Sequence, residues 1–271
     1  MGLLNHLTFD GVDSSDFGVF ISGEGAFDAP ARRGEMISIP GKNGSLFMDE
    51  GVFENITVEY PAFIGTGFEE VFRTKLRDLR SAMTSRDNYK RLTDTYHPDE
   101  FRLGVYREGL EVDPKVITRA GSFTLKFDCK PQRFLLSGED PIVLNSGALI
   151  TNPTLFYARP LLKVIGNGMV RIEPYEFIVS GNDGELWIDS EIFETYKLEY
   201  IEHDLTDEVY TEIKDERGRN IEVAKEAIPQ SSEALVQFVN YVYPLIRPGV
   251  VPVYIAPEIQ ELTIIPRWWR L

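Results

Sequence analysis

The chain has 271 residues, 43% apolar and 26% charged, the make-up of a globular protein long enough to bury a core without staples. Its formal net charge of −15 runs against nucleic-acid binding, which needs a local excess of Lys and Arg. Cys129 is the only cysteine and His6, His97 and His203 the only histidines, so no intramolecular disulfide and no structural zinc site is expected.

The charge is uneven along the chain. Residues 1–134 hold 17 Lys and Arg against 21 Asp and Glu, whereas residues 135–271 hold 11 against 22. Surfaces so different suggest two units, 1–134 and 135–271, meeting near 134–140. No apolar run reaches the roughly 20 residues that span a bilayer. The opening MGLLNHLTFDG is interrupted too soon by Asp10 for a secretory signal, and His6 stands where a myristoylation motif wants Ser or Thr. Synthesis in a cytoplasm is the expectation.

The first 60 residues read as β. Apolar clusters at Leu7–Phe9 and Phe17–Ile21 are punctuated by Asp10-Gly11 and Ser22-Gly23. The stretch SIPGKNGSLFMDEG then sets Gly41, Lys42, Asn43 and Gly44 between two apolar clusters. It fails as a phosphate-binding loop: Asn43 replaces the Ser or Thr, Met36 stands where the first Gly should be, and a strand follows. It reads instead as a hairpin turn, with Asn43 and Gly44 supplying positive φ. Beyond it, Ile56, Val58 and Tyr60 alternate with Thr57 and Glu59, the period of a half-buried strand.

A helix is expected over about 67–85. Phe68, Val71, Phe72, Leu76, Leu79 and Met83 recur at three- and four-residue spacing, and Thr66 with Glu69 reads as a capping box. Strands resume, with Phe123, Leu125 and Phe127 alternating with polar neighbours; Lys130–Phe134 reads as a domain exit because Pro131 cannot continue a sheet interior. The second half is nearly all β. Asn167-Gly168 is a strong hairpin signal, the acidic stretch 199–222 reads as an exposed excursion, and Leu262, Ile264 and Ile265 form a last strand ended by Pro266.

Chemical motifs are sparse. His97, Asp99 and Glu100 lie close in sequence, but a strand starting at Phe101 would turn the two carboxylates apart, and Pro98 suits a plain turn. No nucleophile elbow, zinc helix motif or dinucleotide fingerprint occurs, and no carboxylate pair stands out among 43 acidic residues. Trp268 and Trp269 face opposite ways if they share a strand, leaving one free to stack on a sugar or anchor an interface.

The order of FDGVDSSDFGVFISG, IPGKNGSLFMDEGVFENITVEY, FEEVFRTKLRDLRSAMTS, YKRLTDTYHPDEFRLGVY, NPTLFYARPLLKVIGNG, GELWIDSE and IPRWWRL resembles the distal tail protein family of long-tailed, non-contractile phages and prophages. The resemblance spans residues 9–271. It implies a mainly β protein. Its N-terminal β-sandwich or split-barrel-like domain carries one α-helix and a protruding β-hairpin, and its C-terminal domain is a galectin-like β-sandwich. It further implies a virion protein with no cofactor, metal or catalytic role. Its partners would be itself as a homohexameric ring, the major tail tube protein, the tail-associated tip protein and receptor-binding or baseplate proteins, with no nucleic acid and no membrane insertion. Gly41, Lys42, Asn43 and Gly44 become a candidate subunit-contact hairpin; Trp187, Trp268 and Trp269 are candidate exposed aromatic contacts. The alternative is a carbohydrate-binding module for host-surface glycans. Against it, Trp187 is followed by Ile188 and Asp189, and His203 by Asp204, so the sugar-binding motif of galectins is missing. A wall-degrading enzyme finds little support in the motifs.

Overall fold

The computed structural model describes residues 4–23, 27–65, 68–110, 113–115, 120–201, 226–239 and 241–271. It divides into two units, one built from Met1–Ser137 with Trp269–Leu271, the other from Gly138–Trp268. The acidic stretch expected as an excursion lies largely outside the described residues, as do Thr66 and His203.

In the first unit, β1 (Leu7–Phe9), β2 (Val12–Asp13), β3 (Val19–Ile21), β6 (Ile56–Gly65), β7 (Lys90–Asp94), β8 (Glu100–Val105), β9 (Asp113–Lys115) and β10 (Ala120–Leu135) share one antiparallel sheet. Its order is β2-β1-β7-β8-β10-β6-β3, with β9 also on β10. Between β3 and β6 the chain makes β4 (Arg32–Ser38) and β5 (Ser45–Phe53), which pair only with each other. The longest ladder runs from Ile56 beside Cys129 to Gly65 beside Ala120. Alternation sets its faces: Val58, Tyr60, Ala62 and Ile64 are buried, while Thr57, Glu59 and Phe63 look outward.

The sheet curls until its ends meet. Ser14 Oγ accepts from Leu7 N at 3.2 Å and donates to Val19 O at 3.0 Å, and Ile21 N donates to Asn5 O at 2.9 Å. These bonds tie β1 to β3 and satisfy edge groups that would otherwise invite pairing. Inside lie Leu7, Phe9, Val58, Tyr60, Leu125 and Phe127, with Phe9 and Phe127 ring centroids 5.0 Å apart.

The helix α1 (Glu69–Thr84) lays Phe72, Leu79 and Met83 in this core, with Leu76 packed against it. Two expected members of the stripe fall outside: Phe68 and Val71 are exposed. Phe68 is the N-cap residue, in extended conformation and with no side-chain cap bond, and the expected capping box of Thr66 and Glu69 lies outside the described residues. Substitution at Leu79, which is fully buried, tests the stripe. Leu79→Ala should destabilise the first unit by about 2–5 kcal/mol through lost burial and a residual cavity. Val71→Ala, on the exposed side, should stay within about 0.5 kcal/mol. Urea unfolding followed by helix ellipticity compares the two.

Lys130–Phe134, read as a domain exit because Pro131 would stop a strand, is still strand. β10 runs on to Leu135 with Pro131 inside it, and its register against β8 shifts between Cys129 and Arg133. A bulge leaves residues without ladder partners, which is where a proline lacking an N–H can sit.

The second unit has two antiparallel sheets. The first takes β11 (Ile142–Leu144), β13 (Leu161–Gly166), β16 (Glu185–Asp189), β17 (Glu194–Ile201), β18 (Glu226–Ser231) and β21 (Ile259–Ile265), in the order β11-β21-β13-β16-β17-β18. The second takes β12 (Leu149–Asn152), β14 (Gly168–Ile172), β15 (Tyr175–Val179), β19 (Val236–Phe238) and β20 (Gly249–Ile255), in the order β12-β20-β14-β15-β19. Leu162, Val164, Leu186 and Ile188 of one and Val170, Ile172, Phe177 and Val251 of the other are buried, the alternation of two sheets over a common core.

Asn167-Gly168 is not the hairpin its sequence suggests. β13 and β14 lie in different sheets, and so do β15 and β16 either side of Asn182. Gly166 and Gly168 supply the positive φ, and Asn167 bonds Asn182 through Nδ2 to O at 2.8 Å and Oδ1 to N at 2.7 Å. The two crossings therefore pin each other. Finally β22 (Trp269–Arg270) returns to the first unit and pairs with β10 at Phe134 and Arg133. Ile265 does end β21, before Pro266, but β21 is not the last strand.

Candidate functional site

The feature that stands apart is the ribbon of β4 and β5. Its strands pair from Ser38 beside Ser45 back to Arg32 beside Phe53. A two-stranded ribbon alone is marginal in water and needs an apolar face packed on something. This one exposes Met36, Leu46, Phe47, Met48 and Val52. The register puts Met36 beside Phe47 on one face, and Ile37 beside Leu46 on the other. Both faces are thus apolar. Gly34 is required where it stands: a Cβ there would come within 2.5 Å of Met48 O and 2.6 Å of the Phe47 ring.

Charges gather at the base. Arg32 pairs with Asp49, Arg33 with Glu50 at 3.0 Å, and the Arg32 guanidinium lies 5.3 Å from the Phe53 ring centroid. The hydrogen bond and charge of Asp49 raise the pKa of Arg32, and the bond from Arg32 lowers that of Asp49. Glu54 N donates to Ala31 O at 3.0 Å, closing the base, and buried Arg102 donates from Nη2 to Asp28 O at 3.1 Å just before it. Burial and the neighbouring Arg133 lower the Arg102 pKa.

The tip differs from the expected primed turn. Lys42 N donates to Ile39 O at 3.1 Å, with Pro40 and Gly41 between them and Gly41 at φ 79°. Pro then Gly at these places makes a type II turn. Gly41 and Gly44, not Asn43, carry the positive φ, and all four of Gly41, Lys42, Asn43 and Gly44 are exposed. The expected site therefore covers the tip, while the apolar stem that sequence reasoning passed over carries the exposed side chains. The run Leu46-Phe47-Met48, without a polar alternate, was the available signal.

The other candidates disperse. His97 Nδ1 meets Asp94 Oδ1 at 3.0 Å, Tyr60 donates to Asp94 Oδ2 at 2.8 Å, and burial with Asp94 pushes the Tyr60 pKa well up. The strand β8 begins at Glu100, not Phe101; Glu100 is buried beside Arg133 and Arg270, whereas Asp99 is exposed. The three residues of the His97 cluster thus share no site. Among the described residues no group of three or more His, Cys, Asp or Glu is placed to hold a metal ion, and no helix is long and apolar enough to cross a membrane.

The tryptophans are corrected as exposed contacts. Trp268 is 4% exposed, and Trp187 and Trp269 are half-buried. Trp268 follows the end of β21 and belongs to the second unit, whereas Trp269 starts β22 in the first, so strand alternation does not govern the pair. Among the described residues, the exposed aromatics of the second unit are instead Tyr157, Phe193, Tyr241 and Tyr254. Phe193 and Tyr241 adopt positive φ, which nothing in their sequence announces.

Comparison with known proteins fits this architecture. Residues 12–129 match the family described as the phage tail protein RIFT-related domain. The Dit (gp 19.1) protein of phage SPP1, described as a paradigm of hub adsorption apparatus in phages infecting Gram-positive hosts, shares the fold at TM-score 0.66 and 14% identity, over 97% of this chain and 98% of that one. A chain of the phage P2 baseplate in its activated conformation with calcium matches at 0.52 and 8%, over 97% and 98%. A chain from the same baseplate with strontium matches at 0.51 and 8%, over 100% and 99%. No curated protein sequence matches. The matched stretch lies within the first unit. The chain shares its fold along its whole length with these hub and baseplate proteins.

Proposed function

We propose that this protein is a non-enzymatic hub of the virion, made in the host cytoplasm and assembled as a hexameric ring at the distal end of the tail tube. The observation that carries the ring is the lone ribbon with apolar side chains exposed on both faces. Such a surface is stable in solution only when something covers it. A ring supplies that cover by repeating one contact between unlike surfaces until it closes. The ring would join the major tail tube protein to the tail-associated tip protein and offer its second unit to receptor-binding or baseplate proteins. The family of the first unit and the shared fold of hub and baseplate proteins support these partners.

Light scattering on the purified chain across a range of concentrations tests self-assembly. The expected mass is that of six chains. A single-chain mass at every concentration would overturn the ring as a property of this protein.

A further inference from the structure

The second unit leaves one side of its sandwich unguarded. There β11 ends one sheet and β12 ends the other. Among the described residues, β11 pairs with β21 alone and β12 with β20 alone. Open sheet edges are ordinarily blunted by charges, prolines or a covering segment. The opposite edge of the β11 sheet follows that rule, since β18 contains Pro229, which has no N–H to offer. Residues 141–158, by contrast, contain no Asp, Glu, Lys or Arg, in a chain that is 26% charged. Their two prolines, Pro141 and Pro153, lie just outside the strands. Val143 and Leu149 are exposed, Leu149 at 66%.

Pro252 fixes the direction of the free backbone groups. It stands opposite Leu149 in the register and has no N–H, and its carbonyl accepts from Glu173 N at 3.3 Å on its other side. Leu149 and Pro252 are therefore a non-bonded pair, and antiparallel alternation makes Ile150–Val251 and Asn152–Gly249 the bonded ones. Leu149 and Thr151 consequently turn both N–H and C=O to the open edge, while the side chain of Ile150 is buried. We propose that β12 receives an extended, uncharged segment of a different protein as an added strand.

Charge selects this occupant. An uncharged segment rich in β-branched residues reaches an uncharged edge without stripping water from an ion. A second copy fits poorly. Residues 135–271 hold 11 Lys and Arg against 22 Asp and Glu, and two such units joined edge to edge repel. The backbone of Leu149 and Thr151 supplies the hydrogen bonds. Leu149, with exposed Val250 and Tyr254 on the neighbouring β20, supplies an apolar face for alternate side chains of the added strand. The inference gives a surface and a chemistry to the partner of the second unit and rests on that part of the proposed function; the ring does not enter it.

Fluorescence anisotropy on the full chain tests it. The probe is a fluorescein-labelled peptide of alternating Thr and Val on a short polyethylene glycol tail, and the control is the same peptide N-methylated throughout. The parent protein should bind the probe saturably and the control at least tenfold more weakly. Thr151→Pro removes one outward N–H at a place where an edge strand tolerates proline, and should weaken binding about tenfold with an unchanged thermal midpoint. Leu149→Lys, which supplies the missing edge charge, should do the same. Equal binding by the parent and both variants, equal binding of the control, or no saturation up to about 1 mM probe overturns the site. If the parent instead pairs two by two in light scattering and Thr151→Pro abolishes the pairing, the edge serves a second copy and the assignment to another protein falls. Failure of the titration leaves the ring standing, and a single-chain mass in light scattering leaves this site standing.

Discussion

Excision of residues 33–52, with Arg32 and Phe53 joined through an Asn-Gly turn, should leave a folded monomer. The turn suits the gap because those two residues are register partners in the ribbon. None of the ribbon's residues belongs to the core of the first unit, so the thermal midpoint should move by no more than about 2 °C. Association should suffer far more. Two buried apolar anchors at roughly 2 kcal/mol each, about 4 kcal/mol together, correspond to roughly a thousandfold in dissociation constant. Sedimentation velocity of the excised and parent proteins reads both species directly. An excised protein that still sediments as a ring would show that the ribbon is not the contact.

The second large effect is expected at Asp189. This side chain is 8% exposed and grips Arg267 at 2.6 and 2.8 Å through both carboxylate oxygens, while Glu191 N donates to it at 2.8 Å. Asp189→Ala strands the guanidinium, and should cost about 3 kcal/mol. That is the lower end for a broken buried pair, since Arg267 keeps 26% of its side chain exposed. The loss also removes the tether of a residue held at φ 58°, outside the comfortable range of an Arg. Calorimetry of the full chain should show the transition of the second unit falling by roughly 10 °C. A shift below about 3 °C would mean that the pair contributes little.

The pH dependence follows from the same group. Burial alone would raise the pKa of Asp189, but the bond and charge of Arg267 and the amides of Glu191 and Ile192 more than reverse it, and the net shift is downward. A carboxylate depressed in the folded state stabilises above its unfolded pKa of about 3.9 and loses that stabilisation as pH falls through the lower folded value. The gap between parent and Asp189→Ala should therefore hold from about pH 8 to about pH 5 and narrow below about pH 4.

The sequence carried the parts of the fold governed by neighbours along the chain. The stripe of Phe72, Leu76, Leu79 and Met83, the alternation along β6 and the positive φ at Gly44 were all visible as spacing or residue type, whereas the second positive φ, at Gly41, was assigned to Asn43. What needed the third dimension was misread. Pro131 looked like a stop because the bulge that accommodates it is a property of β8 and β10 together. Asn167-Gly168 looked like a hairpin because nothing local tells a strand reversal from a crossing between sheets; its partner, Asn182, lies fifteen residues away. The exposed stem of the ribbon could have been suspected from Leu46-Phe47-Met48, an apolar run too long for a half-buried strand.

Gly138 and Arg267 bound the second unit, and they touch. Arg267 N donates to Gly138 O at 2.8 Å, and a Cβ on Gly138 would lie 2.4 Å from Trp268 N, so no other residue fits there without displacement. The first unit resumes immediately afterwards at Trp269. The second unit is therefore an insert whose entry and exit are already clasped, spliced into a frame whose own strands come from both sides of it. Such a cassette can be exchanged for a different domain, or for a short turn, without opening the frame around it. That gives one scaffold a way to carry different inserted modules while its own sheet stays unchanged.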